Sequence, residues 1–299
     1  MDAKTHQSPS SAAAPLHAET ALVTGASSGI GYEFALILAR QGYNLVLVAR
    51  NRPALASLAA RCEQEHGVQV ELCAKDLSVA SAAEELFHEL LARAISVDVL
   101  INDAGFAMQG EFIENDPSAL LDMLQVNVVA LTHLTRLFLP AMVKRGHGRI
   151  LNLASIGSFM PGPLMASYFA SKAFVLSLSE ALANELQGTG VTVTALCPGP
   201  TRSRFAQRAR LTGCKAFRGA LMEPADVAQE GFAAMMKGKQ VRITGRKLRL
   251  QMLPTPLLPR RLLAYFARQY HETTGAEQTM ADEAHDWSAA AEGPQIVQP

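Results

Sequence analysis

The chain has 299 residues, 49% hydrophobic and 18% charged, a globular composition with ample length for a full core. Lys plus Arg and Asp plus Glu both number 27, so the charge balance gives no nucleic-acid footprint. The four cysteines, Cys62, Cys73, Cys197 and Cys214, form no C-x-x-C pair and match neither a metal site nor a disulfide framework. They read as reduced, mostly buried thiols of a cytoplasmic protein. The N-terminus lacks the apolar region of a signal peptide, and no run approaches the roughly 18 apolar residues of a membrane span. The richest candidate, 126–143, is interrupted by Thr132, His133, Thr135 and Arg136.

Residues 1–18 are expected to be disordered. "TALVTG" at 20–25 is a buried-strand signal, followed by a helix pattern over 29–41 and a strand, "NLVLVA", at 44–49. Helical periodicity over 53–65 puts Leu55, Leu58 and Ala59 on one face. Then come a strand at 68–74, a helix at 79–94, a strand at 97–102 and one long helix over 117–144. A strand at 148–155, a helix at 163–187 and a strand at 191–198 follow. A variable stretch leads to a helix at 224–237 and a last strand at 240–244. Strands alternating with helices mean right-handed βαβ units, hence a parallel sheet covered on both faces. The fold class expected is α/β, one doubly wound domain over 19–245 with about seven strands. Residues 246–274 form a basic, leucine-rich helical appendix, and 275–299 a disordered tail.

"TGASSGIG" at 24–31 lies on the first strand–helix turn, with Gly25, Gly29 and Gly31 spaced G-x-x-x-G-x-G. Glycines there let backbone N–H groups approach a pyrophosphate, and the helix N-terminus adds its positive end. The loop nominates Gly25, Ser27, Ser28, Gly29, Ile30 and Gly31 for cofactor binding. At the end of the second strand, where NAD-type sites carry an acid, Ala49 is followed by Arg50 and Asn51. A carboxylate repels a 2′-phosphate and an arginine pairs with it, so NADP(H) is favoured over NAD(H). The alternative is a surface charge after a strand. Asp76, in "KDLS", either contacts an adenine amino group or caps the next helix, and the two roles are compatible. "INDAG" at 101–105 ends the fourth strand at the same edge, where Ala104 and Gly105 allow close cofactor approach.

Tyr168 and Lys172 lie at i and i+4 and meet on one helix face. A nearby ammonium favours the phenolate, so the pair reads as an acid/base tuned by its neighbour. Ser155 ends the fifth strand at the ligand crevice, and Asn127 is a polar residue in an apolar helix. With these residues in view, the chain resembles a short-chain dehydrogenase/reductase. The matches are T-G-x-x-x-G-x-G at 24–31, Asp76-Leu77, N-x-A-G at 102–105, Asn127, Ser155, Y-x-x-x-K at 168–172 and "PGPTRS" at 198–203.

The resemblance implies a Rossmann-type, seven-stranded parallel sheet and an Asn-Ser-Tyr-Lys catalytic set acting with NAD(P)(H). In that set Tyr168 exchanges the proton with the carbonyl or alcohol oxygen, and Ser155 orients the carbonyl. Lys172 lowers the Tyr168 pKa and binds the nicotinamide ribose, and Asn127 holds a relay water. Leu77 and Asn102 join the cofactor set, and Pro198, Gly199, Thr201 and Ser203 line the nicotinamide side. Asp103 departs from the family's usual N-N-A-G. It is expected to lie on the adenosine side and to accept backbone hydrogen bonds much as the second Asn would.

The segment 201–224 corresponds to the family's substrate lid. Its Arg202, Arg204, Arg208, Arg210, Lys215 and Arg218 suit an anionic substrate such as an acyl thioester, or a solvated basic loop. Phe205, Leu211, Phe217, Leu221 and Met222 suit a lipophilic carbonyl or alcohol. The first reading is an NADP(H)-dependent ketone or aldehyde reductase. The alternatives are a β-ketoacyl-thioester reductase and a non-catalytic NADP(H)-binding regulator. An amphipathic helix over 257–271 packs on its own domain, on a sister subunit or on a membrane surface. The family's habit implies a homodimer or homotetramer through the helices at 117–144 and 163–187. No histidine pairs into a metal site.

Overall fold

In the computed structural model, described for residues 19–203, 205, 209, 211, 214–219 and 221–272, a seven-stranded parallel sheet lies between two helical layers. The expected disorder of 1–18 and 275–299 falls outside the described residues. The first half runs β1 (Thr20–Thr24), α1 (Gly29–Arg40), β2 (Asn44–Ala49), α2 (Arg52–His66), β3 (Val70–Ala74), α3 (Ala82–Ala92) and β4 (Val99–Asn102). Then come α4 (Pro117–Leu124), α5 (Leu131–Arg145), β5 (Gly148–Leu153), α6 (Ala166–Glu185) and β6 (Val191–Cys197). The last elements are α7 (Lys215–Arg218), α8 (Pro224–Met236), β7 (Val241–Ile243), α9 (Arg246–Met252) and α10 (Arg260–His271).

The strand order is β3-β2-β1-β4-β5-β6-β7. Successive strand residues point to opposite faces, so both layers draw on the same apolar runs. Val23, Leu45, Leu47, Ile101 and Leu196 pack with α1, α2 and α8, whereas Leu22, Val46, Val48, Leu100 and Ile150 pack with α3 and α5. The chain reverses direction across the sheet between β1 and β4. In open α/β sheets the ligand crevice lies at that point, outside the strands' carboxyl ends.

The helix expected over 117–144 is not uniform. Between α4 and α5, Gln125–Ala130 is a π-helical segment. The wider turn accommodates Asn127, which is fully buried and bonds both backbone groups of Phe106. The strand expected over 148–155 ends at Leu153, and a short 3-10 turn starts after Ser155 because Ser155 caps it through Gly157 N at 3.0 Å.

The appendix folds back over the carboxyl end of the sheet. Leu248 reaches the backbone at Gly199, and Met252, Leu263 and Ala267 are buried. The His271 ring meets Phe169 edge-on at 5.3 Å, and its carbonyl accepts a 2.6 Å bond from Gln109 Nε2. Leu262, Tyr265, Phe266 and Tyr270 remain exposed.

A buried polar chain fastens β4 to β5. Asn102 Nδ2 donates to Asn152 Oδ1 at 2.9 Å and to Thr135 Oγ1 at 3.1 Å, and Asn152 Nδ2 donates to Ser179 Oγ at 2.9 Å. Asn152→Ala removes two of these bonds and leaves a void, so urea unfolding of the variant is expected to show a loss of about 2–4 kcal/mol. A loss below about 0.5 kcal/mol would mean that the chain of amides does not hold the strands.

Candidate active site

The glycine loop sits on the end of β1. Gly25 (φ 72°) and Gly29 (φ 64°) adopt the left-handed conformation that favours glycine. A Cβ on Gly31 would lie 2.6 Å from Asp103 Oδ2 and 2.8 Å from Gly25 O. A side chain would fill this cradle, as expected of a loop built for close backbone approach to a phosphate. Ser28 is the extended N-cap of α1 and does not spend its side chain on a cap bond. Ser27 lies between it and the cradle, and Ile30 packs into the core below. A Cβ on Gly29 would stand 3.5 Å from the Ser203 side chain, so the segment after β6 faces the loop.

The other cofactor candidates line the same edge. The Arg50 guanidinium is largely exposed and lies 3.7 Å from Asp76 Oδ2. Asn51 caps α2 through Ala54 N at 3.0 Å. Asp76 Oδ1 accepts from the Ser78 amide and hydroxyl at 3.0 and 2.9 Å, and Leu77 is buried. Burial works against the Asp76 carboxylate, but the Ser78 bonds and Arg50 hold its pKa below the usual value. Asp76 thus closes a turn at Ser78 and does not cap α3, whose N-cap is Ser81. Asn102 is turned into the core, where its amide bonds Asn152 and Thr135. Pro198 O accepts from Ile156 N at 3.1 Å, and Thr201 Oγ1 donates to Gly199 O at 2.9 Å. Gly105 gives room to Asn127 and Lys172, since a Cβ there would meet Asn127 Oδ1 at 2.9 Å and Lys172 Nζ at 3.6 Å.

The structure brings Ser155, Tyr168, Lys172 and Asn127 together. The Tyr168 ring lies against Phe205 (5.5 Å between centroids) and Phe169 (6.0 Å). With Met160, Met165, Leu211 and Phe217 these rings pack as an apolar cluster around the phenol. Burial pushes the Tyr168 pKa up to about 12, and the Ser155 hydroxyl, hydrogen-bonded to the phenol, pulls it down. Lys172 does not lower it as expected. Its Nζ is fixed at 2.7 Å from Leu153 O and stands over the ring, 5.9 Å from the centroid. Burial lowers the Lys172 pKa to about 8, with Asp103 opposing. Asn127 spends its side chain on Phe106 N, Phe106 O and Ser171 Oγ at 3.1, 2.9 and 3.2 Å.

Asp103 accepts a backbone hydrogen bond from the Gly31 amide, as expected of it. It lies beneath the glycine loop within the field of Lys172, and its Oδ1 is buried without a hydrogen-bond partner. Desolvation pushes its pKa up to about 7, against Lys172 and the Gly31 amide. The Asp for Asn departure is visible in the sequence. Its burial is not, because it depends on the approach of two segments far apart in the chain.

In the lid, Arg202 pairs with Glu223 at 2.8 Å and Lys215 is exposed. Arg204, Arg208, Arg210 and the Arg218 side chain lie outside the described residues. All four cysteines are buried, and among the described residues no His/Cys/Asp/Glu group could hold a metal.

The family model described as short chain dehydrogenase matches residues 19–212. A very-long-chain 3-oxoacyl-CoA reductase of Pyrenophora tritici-repentis is 41% identical over 177 residues, 58% of this chain and 52% of that protein. The match thus spans about half the length of that relative. Among solved structures, a short-chain dehydrogenase of Sphingobium yanoikuyae in complex with NADPH is 31% identical with a TM-score of 0.70, covering 94% of this chain and 98% of its own. A bulky-bulky ketone specific alcohol dehydrogenase of Comamonas testosteroni is 27% identical with a TM-score of 0.67, covering 94% and 97%.

These findings overturn the cytoplasmic expectation. Very-long-chain acyl groups, named in the relative's activity, partition into membranes at about 0.8 kcal/mol per buried CH₂. The premise that no segment is apolar enough also fails, because the helical rod Pro117–Arg145 meets the length and composition of a span. Within this fold 44% of its most apolar window is buried.

The two buried titrating groups set opposite pH limbs. Asp103, raised from 3.8 to about 7, contributes stability that is full below the unfolded pKa and lost as pH rises toward 7. Lys172, lowered from 10.5 to about 8, contributes stability that is full above the unfolded pKa and lost as pH falls through 8. Chemical denaturation of Asp103→Asn should lack the first limb and gain on the order of 2 kcal/mol over the parent near pH 8. Equal pH profiles for parent and variant would rule out a buried, neutralised Asp103.

Proposed function

The chain belongs to the short-chain dehydrogenase family, oxidoreductases of CH–OH and C=O groups that use a nicotinamide cofactor, and we propose that it reduces the 3-oxo group of a long-chain acyl thioester with NADPH. The observation that carries this reading is the 41% identity to a very-long-chain 3-oxoacyl-CoA reductase. It favours the thioester over the simple ketone or aldehyde given first place from the sequence. The apolar cluster of Phe205, Met165, Phe169 and Phe217 around Tyr168 offers apolar surface to an acyl chain. The assembled Ser155, Tyr168 and Lys172 set weighs against a non-catalytic regulator.

The cofactor, when bound, supplies the hydride. Tyr168, with its pKa pushed to about 12, is protonated at neutral pH, the state that a proton donor to a carbonyl oxygen requires. Ser155 Oγ accepts from Gly157 N, which leaves its hydroxyl hydrogen free to donate to the phenol or to a carbonyl oxygen. Donation to the developing oxyanion stabilises it most in the transition state. Lys172 is held by Leu153 O with donors to spare, and these serve the ribose side and the proton supply. Because the Asn127 side chain is fully engaged, a relay water there would use its backbone carbonyl. The glycine loop and the N-terminus of α1 would hold the pyrophosphate, and Arg50 a 2′-phosphate, at the cost of its contact with Asp76. A homo-oligomer belongs to the same reading, supported by Leu121, Val129 and Phe174 left exposed on the helices of α4 through α6.

The likeness to the bulky-ketone enzyme, which extends over the appendix, supports a second reading in which the substrate is a large ketone. Rates on 3-oxoacyl-CoA of increasing chain length, set beside bulky aryl ketones, separate the two. The first reading expects kcat/KM to rise about tenfold or more from short to long chains, since each buried CH₂ adds about 0.8 kcal/mol. Turnover of the ketones alone would overturn it. Tyr168→Phe should cost at least about 100-fold in kcat on the active substrate while cofactor binding persists.

Cofactor choice is checked by thermal shift with NADPH and NADH at matched concentrations. NADPH should give the larger shift, and Arg50→Ala should bring the two together. A larger shift with NADH would reverse the assignment.

A further inference from the structure

Asp103 is the charged side chain of the crevice that the reaction does not use. It follows β4, yet its Oδ2 reaches into the loop after β1, at 2.8 Å from where a Cβ on Gly25 would stand and 2.6 Å from one on Gly31. Its own backbone amide is held by Thr24 Oγ1 at 3.0 Å, which fixes the main chain from which the carboxyl projects. Oδ1 is buried without a partner. The groups acting on the carboxyl are the ammonium of Lys172, from α6, and the Gly31 amide, from the first turn of α1. From β1 it meets the uncharged Thr24. Among the described residues no other charged group bears on it.

The positive end of α1 therefore faces two anions. One is Asp103, built into the fold, and the other is the pyrophosphate that a glycine loop at a helix N-terminus receives. Two like charges sharing one desolvated site cannot both persist at full charge, and the one that can accept a proton does so. We propose that Asp103 takes up one proton from solvent when the dinucleotide binds, and so makes cofactor affinity fall as pH rises. The proposal rests on dinucleotide binding in this crevice. The proton bonds to a carboxylate oxygen of Asp103, and no other bond changes.

The pH window follows from the carboxyl's state in the free chain, where burial has brought its pKa to about 7. Below that pH the carboxyl is already neutral and affinity is flat. Above it, binding requires proton uptake, and the dissociation constant rises by up to about tenfold per pH unit until the bound-state pKa is reached. Lys172, with a pKa of about 8, loses its charge toward the upper end and also weakens binding there. The contribution of Asp103 is therefore the part of the slope that Asp103→Asn removes.

The test is isothermal titration of the full chain with NADPH and with NADH between about pH 6 and about pH 9, in buffers of different ionisation enthalpy, so that linked protons are counted directly. NADH lacks the 2′-phosphate, whose own ionisation would otherwise enter the count. Near pH 8 the parent is expected to take up between about half a proton and one proton, with affinity about tenfold weaker than at pH 6.5. Asp103→Asn should take up none over this range and bind near pH 7.5 as tightly as the parent does near pH 6. Lys172→Met, which removes the cation that holds the Asp103 pKa down, should shift the step to higher pH. Parent binding without proton uptake, an unchanged slope in Asp103→Asn, or a step that Lys172→Met leaves in place would each overturn the proposal. Failure of the parent to bind either dinucleotide at any pH would instead overturn the crevice assignment and take this proposal with it.

Discussion

Thr24 joins the two halves of the sheet where the strand order reverses. It is buried at the end of β1, donates to Ile101 O at 3.3 Å, and accepts from the amides of Asp103 and Ala104 at 3.0 Å each. One hydroxyl thus satisfies three backbone groups that would otherwise be stranded where two loops diverge. Everything in the crevice is referred to this join. It sets the gap between the glycine loop and the segment after β4, which forces glycine at 31 and fixes the Asp103 carboxyl under α1. It also aims the 103–106 segment at Asn127, whose amide ties Phe106 to α6 through Ser171.

The polar interior is continuous from that join to the catalytic lysine. Ser158 donates to the carbonyl of Lys172 at 2.7 Å, and Lys172 donates to the carbonyl of Leu153 at 2.7 Å. Each bond is made inside an apolar surround, where a lost partner costs more than the bond itself contributes. Lys172 and its neighbours are therefore positioned by the carboxyl ends of β4 and β5 and not by loops alone. The same surround raises the Tyr168 and Asp103 pKa values and lowers that of Lys172. Desolvation, not the lysine charge, dominates the tyrosine.

The sequence made the alternating elements, the doubly wound sheet and the positions of Ser155, Tyr168, Lys172 and the glycine loop legible, because these depend on short-range pattern and motif spacing. Strand runs such as "NLVLVA" read directly as buried on both faces. Three features were not legible, and all depend on approach across the chain. The π-helical turn at Asn127 arises because a buried amide must reach Phe106. The tyrosine's raised pKa follows from the burial of its phenol, which i, i+4 spacing does not reveal. Asp103 was read as a surrogate asparagine on the adenosine side because its motif is local, whereas its burial comes from β1. The localisation inference failed for a different reason. Counting uninterrupted apolar residues treats the polar residues in 126–143 as disqualifying, although a helix carries them at little cost to its overall apolarity.

The family match ends at residue 212, and α9 and α10 lie beyond it. Yet α10 packs on the apolar cluster around Tyr168. His271 packs on Phe169, Phe169 packs on Tyr168, and Arg268 reaches Glu111 at 3.6 Å on the loop ahead of α4. On the proposed reading, the reacting groups lie in the shared region, and the segment after it completes their apolar surround. On that reading, the length of acyl chain admitted is decided where α10 meets the 109–115 loop. The division explains how one set of catalytic residues supports likeness both to a long-chain thioester reductase and to a bulky-ketone enzyme. A hydride acceptor carbon needs the same oxygen-side donors in either, whereas an acyl chain and a pair of bulky groups need different walls.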